Sequence, residues 1–114
     1  MAYSLETRDD LLMLKVDTLL NELENKYILE KVDEQIHDGF INIVVDLEDL
    51  GFLNSMGLNF LISLLTKSRN AGGETVIINI PNQVTNLLVV TKLNEVFVVK
   101  ETLEDALEII DRQD

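Results

Sequence analysis

The sequence predicts one α/β domain over residues 1–114: a mostly parallel central sheet, an antiparallel edge hairpin at the N-terminus and about four helices. Three observations carry this. Residues 41–47 and 75–80 are short β-branched apolar runs, the pattern of strands buried on both faces. Between them the apolar spacing turns helical, with Leu58, Leu61, Ile62 and Leu65 at i, i+3, i+4 and i+7. Two strand-like segments open the chain, and helical and strand-like segments alternate after them, as a sheet with helical crossovers requires.

In order, Tyr3–Arg8 alternates weakly and is expected at the sheet edge, with a turn at Asp9-Asp10 and a paired strand over Leu11–Val16. A helix is expected to start at Asn21, with Glu22 and Glu24 suiting the positive end of its dipole. Its apolar face reads Leu23, Tyr27, Ile28, Val32 and Ile36, and Asp38-Gly39 ends it. His37, the only histidine, falls in the last turn, where a cation is favoured, and reads as structural.

The central strand follows, carried by Ile41, Ile43, Val44, Val45 and Leu47, and Gly51 breaks its pattern. Ser55 is expected to cap the next helix through its hydroxyl. The inward stripe Leu58/Leu61/Ile62/Leu65 would leave Met56 and Phe60 facing outward beside that serine, as a docking surface. No Asp or Glu lies between Leu50 and Gly73, so the first turn of this helix is open to an anion. Lys67 and Arg69 suit its C-terminal end as solvated charges, and Gly72-Gly73 supplies the left-handed stop.

After the strand at 75–80, Pro81 ends the run and Asn82 is expected to cap a helix with Val84, Leu87, Leu88 and Thr91 on one face, ending at Asn94. A short strand is expected at 96–99. Thr102 and Asp105 then have the spacing of a capping box before a last helix with Leu103, Ala106, Leu107 and Ile110 inward. Residues 111–114 are expected to fray.

The totals limit function. The net charge is −12, from 9 basic and 21 acidic residues, which opposes binding to nucleic acid or to an anionic membrane. Of that charge, residues 1–50 hold 13 acids and 4 bases (−9), and residues 51–114 hold 8 and 5 (−3). Whatever meets Ser55 therefore meets the less acidic half of the chain. There is no cysteine, so neither a disulfide framework nor a thiolate site is available. Met1-Ala2-Tyr3-Ser4 leads into polar residues rather than the apolar stretch of a signal peptide, and the chain reads as cytoplasmic.

Chemistry is sparse as well. The five glycines fit no phosphate loop, and there is no G-x-S-x-G elbow. Asp46, Glu48 and Asp49 read as a solvated turn rather than a metal site. A receiver-like phospho-aspartate at Asp46 lacks an acidic pair after the first strand. Neither catalysis nor a cofactor is expected.

The order of elements and the segment LEDLGFLNSMGLNFL together carry a family resemblance. A D-L-x-x-L-x-F-x-D-S-x-G-L core is matched by Asp46-Leu47, Leu50, Phe52 and Asn54-Ser55-Met56-Gly57-Leu58. A later G-x-x-V strand start matches Gly73-Glu74-Thr75-Val76, and the Leu-Asn-x-V-F end matches Leu93-Asn94-Glu95-Val96-Phe97. Over nearly the whole chain this resembles the STAS domain of bacterial anti-sigma factor antagonists. Two departures stand out: Asn54 occupies the position usually held by Asp, and the usual glycine after the second strand is missing around Val16-Asp17-Thr18.

The resemblance implies a switch protein without activity of its own. Ser55 would be phosphorylated by a serine kinase that is also the anti-sigma factor. The unphosphorylated form would bind that kinase and free the sigma factor, and a phosphatase would restore it. Asn54, Ser55, Met56, Gly57 and Phe60 would form the partner-binding surface, on a monomer or weak homodimer. The alternative is a STAS-type binding or scaffold module that is not phosphorylated.

Overall fold

The computed structural model describes residues 3–19 and 21–111. Five strands form one sheet in sequential order: β1 (Tyr3–Arg8), β2 (Leu11–Val16), β3 (Asn42–Asp46), β4 (Thr75–Ile78) and β5 (Val98–Lys100). β1 and β2 form the expected antiparallel hairpin, and β2 through β5 are parallel. The intervening helices are α1 (Glu22–His37), α2 (Ser55–Asn70) and α3 (Asn82–Val90), and α4 (Leu103–Asp111) follows β5.

Alternation along the strands divides the core in two. Leu12, Leu14, Ile43, Val45 and Ile77 point into a large cluster with Ile28 and Val32 of α1, Leu61 and Leu64 of α2 and Leu88 of α3. Leu11, Val44, Val76 and Ile78 point the other way, against Ala106 and Ile110 of α4. Three helices therefore cover one face and one helix the other, which is why β3 and β4 are apolar at consecutive positions. Gly73 marks the tightest approach in this frame. A β-carbon there would collide with the backbone carbonyl of Ile41, just before β3.

Several boundaries differ from the sequence expectation. β4 ends at Ile78 rather than residue 80, because Asn79 turns the chain with a left-handed φ of 54°. Asn82 does not cap α3; it is the first helical residue, behind Pro81, and no side chain caps that end. α3 stops at Val90, and a left-handed Lys92 leads into a short 3-10 turn at Leu93–Glu95, moving the last strand to Val98–Lys100. One half of the expected capping box of α4 is in place, with the Asp105 amide donating to Thr102 Oγ1 at 3.2 Å. Of the residues 111–114 expected to fray, Asp111 is the last residue of α4, and 112–114 lie outside the described residues.

The face of α1 is also rotated from the expected one. Asn25, Ile28 and Val32 are buried, whereas Leu23 and Tyr27 are exposed. Asn25 can turn inward because its Nδ2 donates to the Leu19 carbonyl at 2.9 Å, a partner that hydropathy does not reveal. Tyr27 packs edge-on against Tyr3 of β1, with Lys31 over its ring. His37 is exposed, and its Nδ1–H donates to the Asp33 carbonyl at 2.9 Å.

Candidate functional site

The loop from β3 to α2 is anchored by every third residue. Leu47, Leu50 and Leu53 are buried, and the Leu50 amide closes a turn on the Leu47 carbonyl. Around this buried spine the polar groups tie the loop to its neighbours. Asp46 Oδ1 accepts the Glu48 amide, Gln83 of α3 donates to the Gly51 carbonyl, and Lys15 at the end of β2 lies 3.4 Å from Asp49. Asp49, through hydrogen bond and charge, with Asp46 and Glu48 adding, raises the Lys15 pKa above its ordinary 10.5. The acidic turn is thus partly neutralised rather than simply solvated.

Asn54, not Ser55, is the N-cap of α2. Its backbone is extended and its Oδ1 accepts the Gly57 amide at 2.9 Å. Ser55 is accordingly the first residue of the helix, exposed, with its hydroxyl released from capping duty. The amides of Ser55 and Met56 find no acceptor among the described residues, and the first turn contains no acid. An anionic group on Ser55 would therefore meet open amides and the positive end of a 16-residue helix.

Met56 is exposed as expected, but Phe60 is only 2 % exposed and belongs to the core. Periodicity located the sheet-facing stripe of α2 but not a second buried flank. α1 packs beside α2, so Phe60 and Leu64 are covered together with Leu61 and Leu65, while Leu58 and Ile62 are only half-buried. Gly57 is buried too. A β-carbon there would lie 2.5 Å from Leu53 Cδ1 and 3.1 Å from Leu19 Cβ, so its role is close packing under the first turn rather than surface contact.

The apolar residue that sequence reasoning missed is Phe52, 60 % exposed three residues before Ser55. It sits in a loop without periodicity. The signal available was an aromatic among three spaced leucines that does not share their spacing. Phe52 and Met56 flank Ser55 along the chain, each lining a different hollow. Phe52 borders one against Gln83 and Leu87 of α3, and Met56 borders one against Leu29 of α1. The far end of α2 is tied down: Lys67 pairs with Asp33 at 2.8 Å, and Arg69 with Glu74 while also donating to the Val96 carbonyl. Both stand in the last turn of α2 as expected; Arg69 remains solvent-exposed while paired, and Lys67 is half-buried.

Among the described residues no helix is long and apolar enough to cross a membrane, and no three His, Cys, Asp or Glu side chains gather as a metal site.

The family model of the STAS domain matches residues 2–106. A Thermotoga maritima protein provisionally named as an anti-sigma factor antagonist is 25% identical over 107 residues, covering 92% of this chain and 94% of that protein. A crystal structure of a T. maritima protein with the same provisional name superposes with a TM-score of 0.85 at 20% identity, covering 96% of this chain and 94% of the other. The anti-sigma factor antagonist SpoIIAA in its unphosphorylated form gives 0.79 at 20% identity, over 96% of both chains. Bacillus SpoIIAA in its phosphorylated form gives 0.74 at 19% identity, over 96% of this chain and 99% of that one. At those identities the structural matches establish the fold.

Proposed function

The chain belongs to the STAS domain family, and from that premise we propose that it is an anti-sigma factor antagonist switched by phosphorylation of Ser55. Unphosphorylated, it binds an anti-sigma factor that is also a serine kinase and thereby frees a sigma factor. Phosphorylated, it lets go, and a phosphatase resets it. The chain contributes a surface and an acceptor hydroxyl, and the kinase contributes the chemistry.

The observation that carries this reading is the division of labour at the start of α2. Asn54 holds the cap, so the Ser55 hydroxyl is exposed and unengaged, with the exposed Phe52 and Met56 on either side of it along the chain. Phosphate there adds about −1.5 to −2 charges at pH 7. The open first-turn amides favour that charge locally, so the fold has no reason to change. A partner that buries Phe52 and Met56 would have to desolvate the dianion as well, which is costly without a cationic group to meet it.

Asn54 supports a second reading, a STAS-type binding or scaffold module that is not phosphorylated. It keeps the cap that an aspartate would make but removes a carboxylate beside the acceptor serine. One experiment separates the two readings. The purified chain and a Ser55→Ala variant are incubated with the cognate kinase and ATP, and intact masses are recorded. The switch reading expects one phosphate on the wild type and none on the variant, and weakened kinase binding for Ser55→Asp. An unmodified wild type that still binds the kinase gives the scaffold reading instead.

A further inference from the structure

β1 forms one edge of the sheet, and among the described residues no strand pairs with its outer side. We propose that it is a dimerisation strand. Two copies of this chain join β1 to β1 antiparallel about a two-fold axis at Leu5, which makes one continuous sheet and sets the two α1 helices side by side. α2 packs on another flank of α1, where Lys67 pairs with Asp33, so the Ser55 surface stays free in the dimer.

The strand lacks the devices that keep a sheet edge from pairing. It is six residues long, holds an unbroken register against β2, and contains no proline and no lysine. β5, at the opposite edge, has three residues and ends on Lys100. In a hairpin with a two-residue turn, the pair beside the turn exchanges both of its hydrogen bonds, and every second pair after it does the same. With Asp9-Asp10 as the turn, Arg8, Glu6 and Ser4 bond to β2 in this way, so the amides and carbonyls of Tyr3, Leu5 and Thr7 point outward.

A second copy fits this edge in one register. With Leu5 opposite its own copy, Tyr3 meets Thr7 and Ser4 meets Glu6 across the axis, and all three outward residues are used. Sliding the strands one step toward the turn sets Glu6 against Glu6, like charges directly opposite, and sliding the other way leaves Thr7 unpaired. Exposed apolar surface lies beside the same edge. Tyr27 is 50 % exposed and packs edge-on against Tyr3 at 6.5 Å, and Leu23, one turn earlier, is 79 % exposed. α1 links two parallel strands, so it runs along β1 in the same direction. The axis therefore sets the α1 flanks against each other in reverse, with the Lys31–Glu34 ion pair facing the same pair inverted. That surface is complementary in charge to itself, which singles out a second copy as its partner.

Sedimentation equilibrium of the purified chain reads the association directly. The average mass should rise from monomer toward dimer with concentration. The rise should be steeper at high salt, because two copies of net charge −12 repel when unscreened. Thr7→Pro removes an outward amide and leaves the bonds to β2 in place, so it should weaken the dimer at least about tenfold while thermal unfolding stays cooperative. The chain has no cysteine, so disulfides can read the register whether or not the proline is tolerated. Ser4→Cys and Glu6→Cys chains, mixed and oxidised, should cross-link with each other in preference to themselves, since only that pair meets directly across the axis. A monomeric mass at every concentration in high salt, a dimer undiminished in a folded Thr7→Pro variant, or no preference for the mixed cross-link would each overturn the proposal. A dimer broken by Met56→Ala would place the contact at the Ser55 surface and overturn it as well.

Discussion

The Asn54 side chain accepts the Gly57 amide at 2.9 Å, closing the first turn of α2 around Ser55 without using the serine hydroxyl. Asn54→Ala should therefore destabilise the fold by about 1 kcal/mol, the usual worth of an N-cap. Asn54→Asp should match or slightly exceed the wild type, since it keeps the acceptor and adds charge at the positive helix end. Urea midpoints measure both. A neutral Asn54→Ala would mean that another group holds the turn.

Ser55→Asp should stabilise the isolated chain by about 0.3–1 kcal/mol at low ionic strength, and salt should erode the gain. The direction matters because a modification that worked by disrupting the fold would lower the urea midpoint instead. A destabilised Ser55→Asp would argue that the first turn does not welcome an anion and would weaken the local account of the switch.

Gly57→Ala sets two effects against each other. Alanine improves helix propensity by about 1 kcal/mol. Its β-carbon would press on Leu53 Cδ1 and Leu19 Cβ, both on buried side chains, and such crowding costs about 1–3 kcal/mol. The flexible end of Leu53 can yield, so the net loss should be modest, about 1 kcal/mol. Gly73→Ala should cost more, since its β-carbon meets the Ile41 backbone, which no rotamer change can move. Equal losses at the two sites, measured by thermal or urea unfolding, would contradict this ordering.

How far the sequence revealed these features depended on whether one element or two determined them. β3 and β4 were legible because consecutive apolar β-branched residues meet cover on both faces of the same sheet. The hairpin and the Thr102 cap of α4 were legible because their determinants are local. The orientation of Phe60 was not, because it depends on α1 lying against the flank of α2, and no periodicity within α2 encodes that. Asn25 misled for the opposite reason: a polar residue turned inward shifts the whole helix face, and its partner, Leu19, lies outside the helix. Asn54 and Ser55 are both good caps, so only the backbone could decide between them.

The pair Lys15–Asp49 ties the loop before Ser55 to β2, and its pH dependence has a definite sign. Lys15 has its pKa raised in the folded chain, chiefly by Asp49, so the native state holds that proton more tightly than the unfolded state. The resulting stabilisation is complete below the ordinary 10.5 and is lost as pH rises through the folded value. The difference in urea midpoint between the wild type and Lys15→Met should therefore shrink above that pH. It should be small at any pH, because both side chains are solvent-exposed and screened. A gap that persists unchanged in strong alkali would assign the loss to packing of the lysine stem.

Met56 and Phe60 lie one helical turn apart, yet the structure predicts opposite phenotypes for them. Phe60 is among the largest fully buried side chains, so Phe60→Ala should cost about 3–5 kcal/mol and lower the melting temperature sharply. Met56 is 36 % exposed, so Met56→Ala should change stability by no more than about 0.5 kcal/mol. In a binding assay with the proposed partner, an anti-sigma factor kinase, the order should invert among the folded variants. Met56→Ala and Phe52→Ala should weaken the complex, because both side chains flank Ser55 in solvent, whereas any effect of Phe60→Ala should follow from its lower stability. Full affinity in a folded Phe52→Ala, Met56→Ala double variant would show that the partner does not use the apolar groups around the serine, and would remove the physical reason for a phosphate there to expel it.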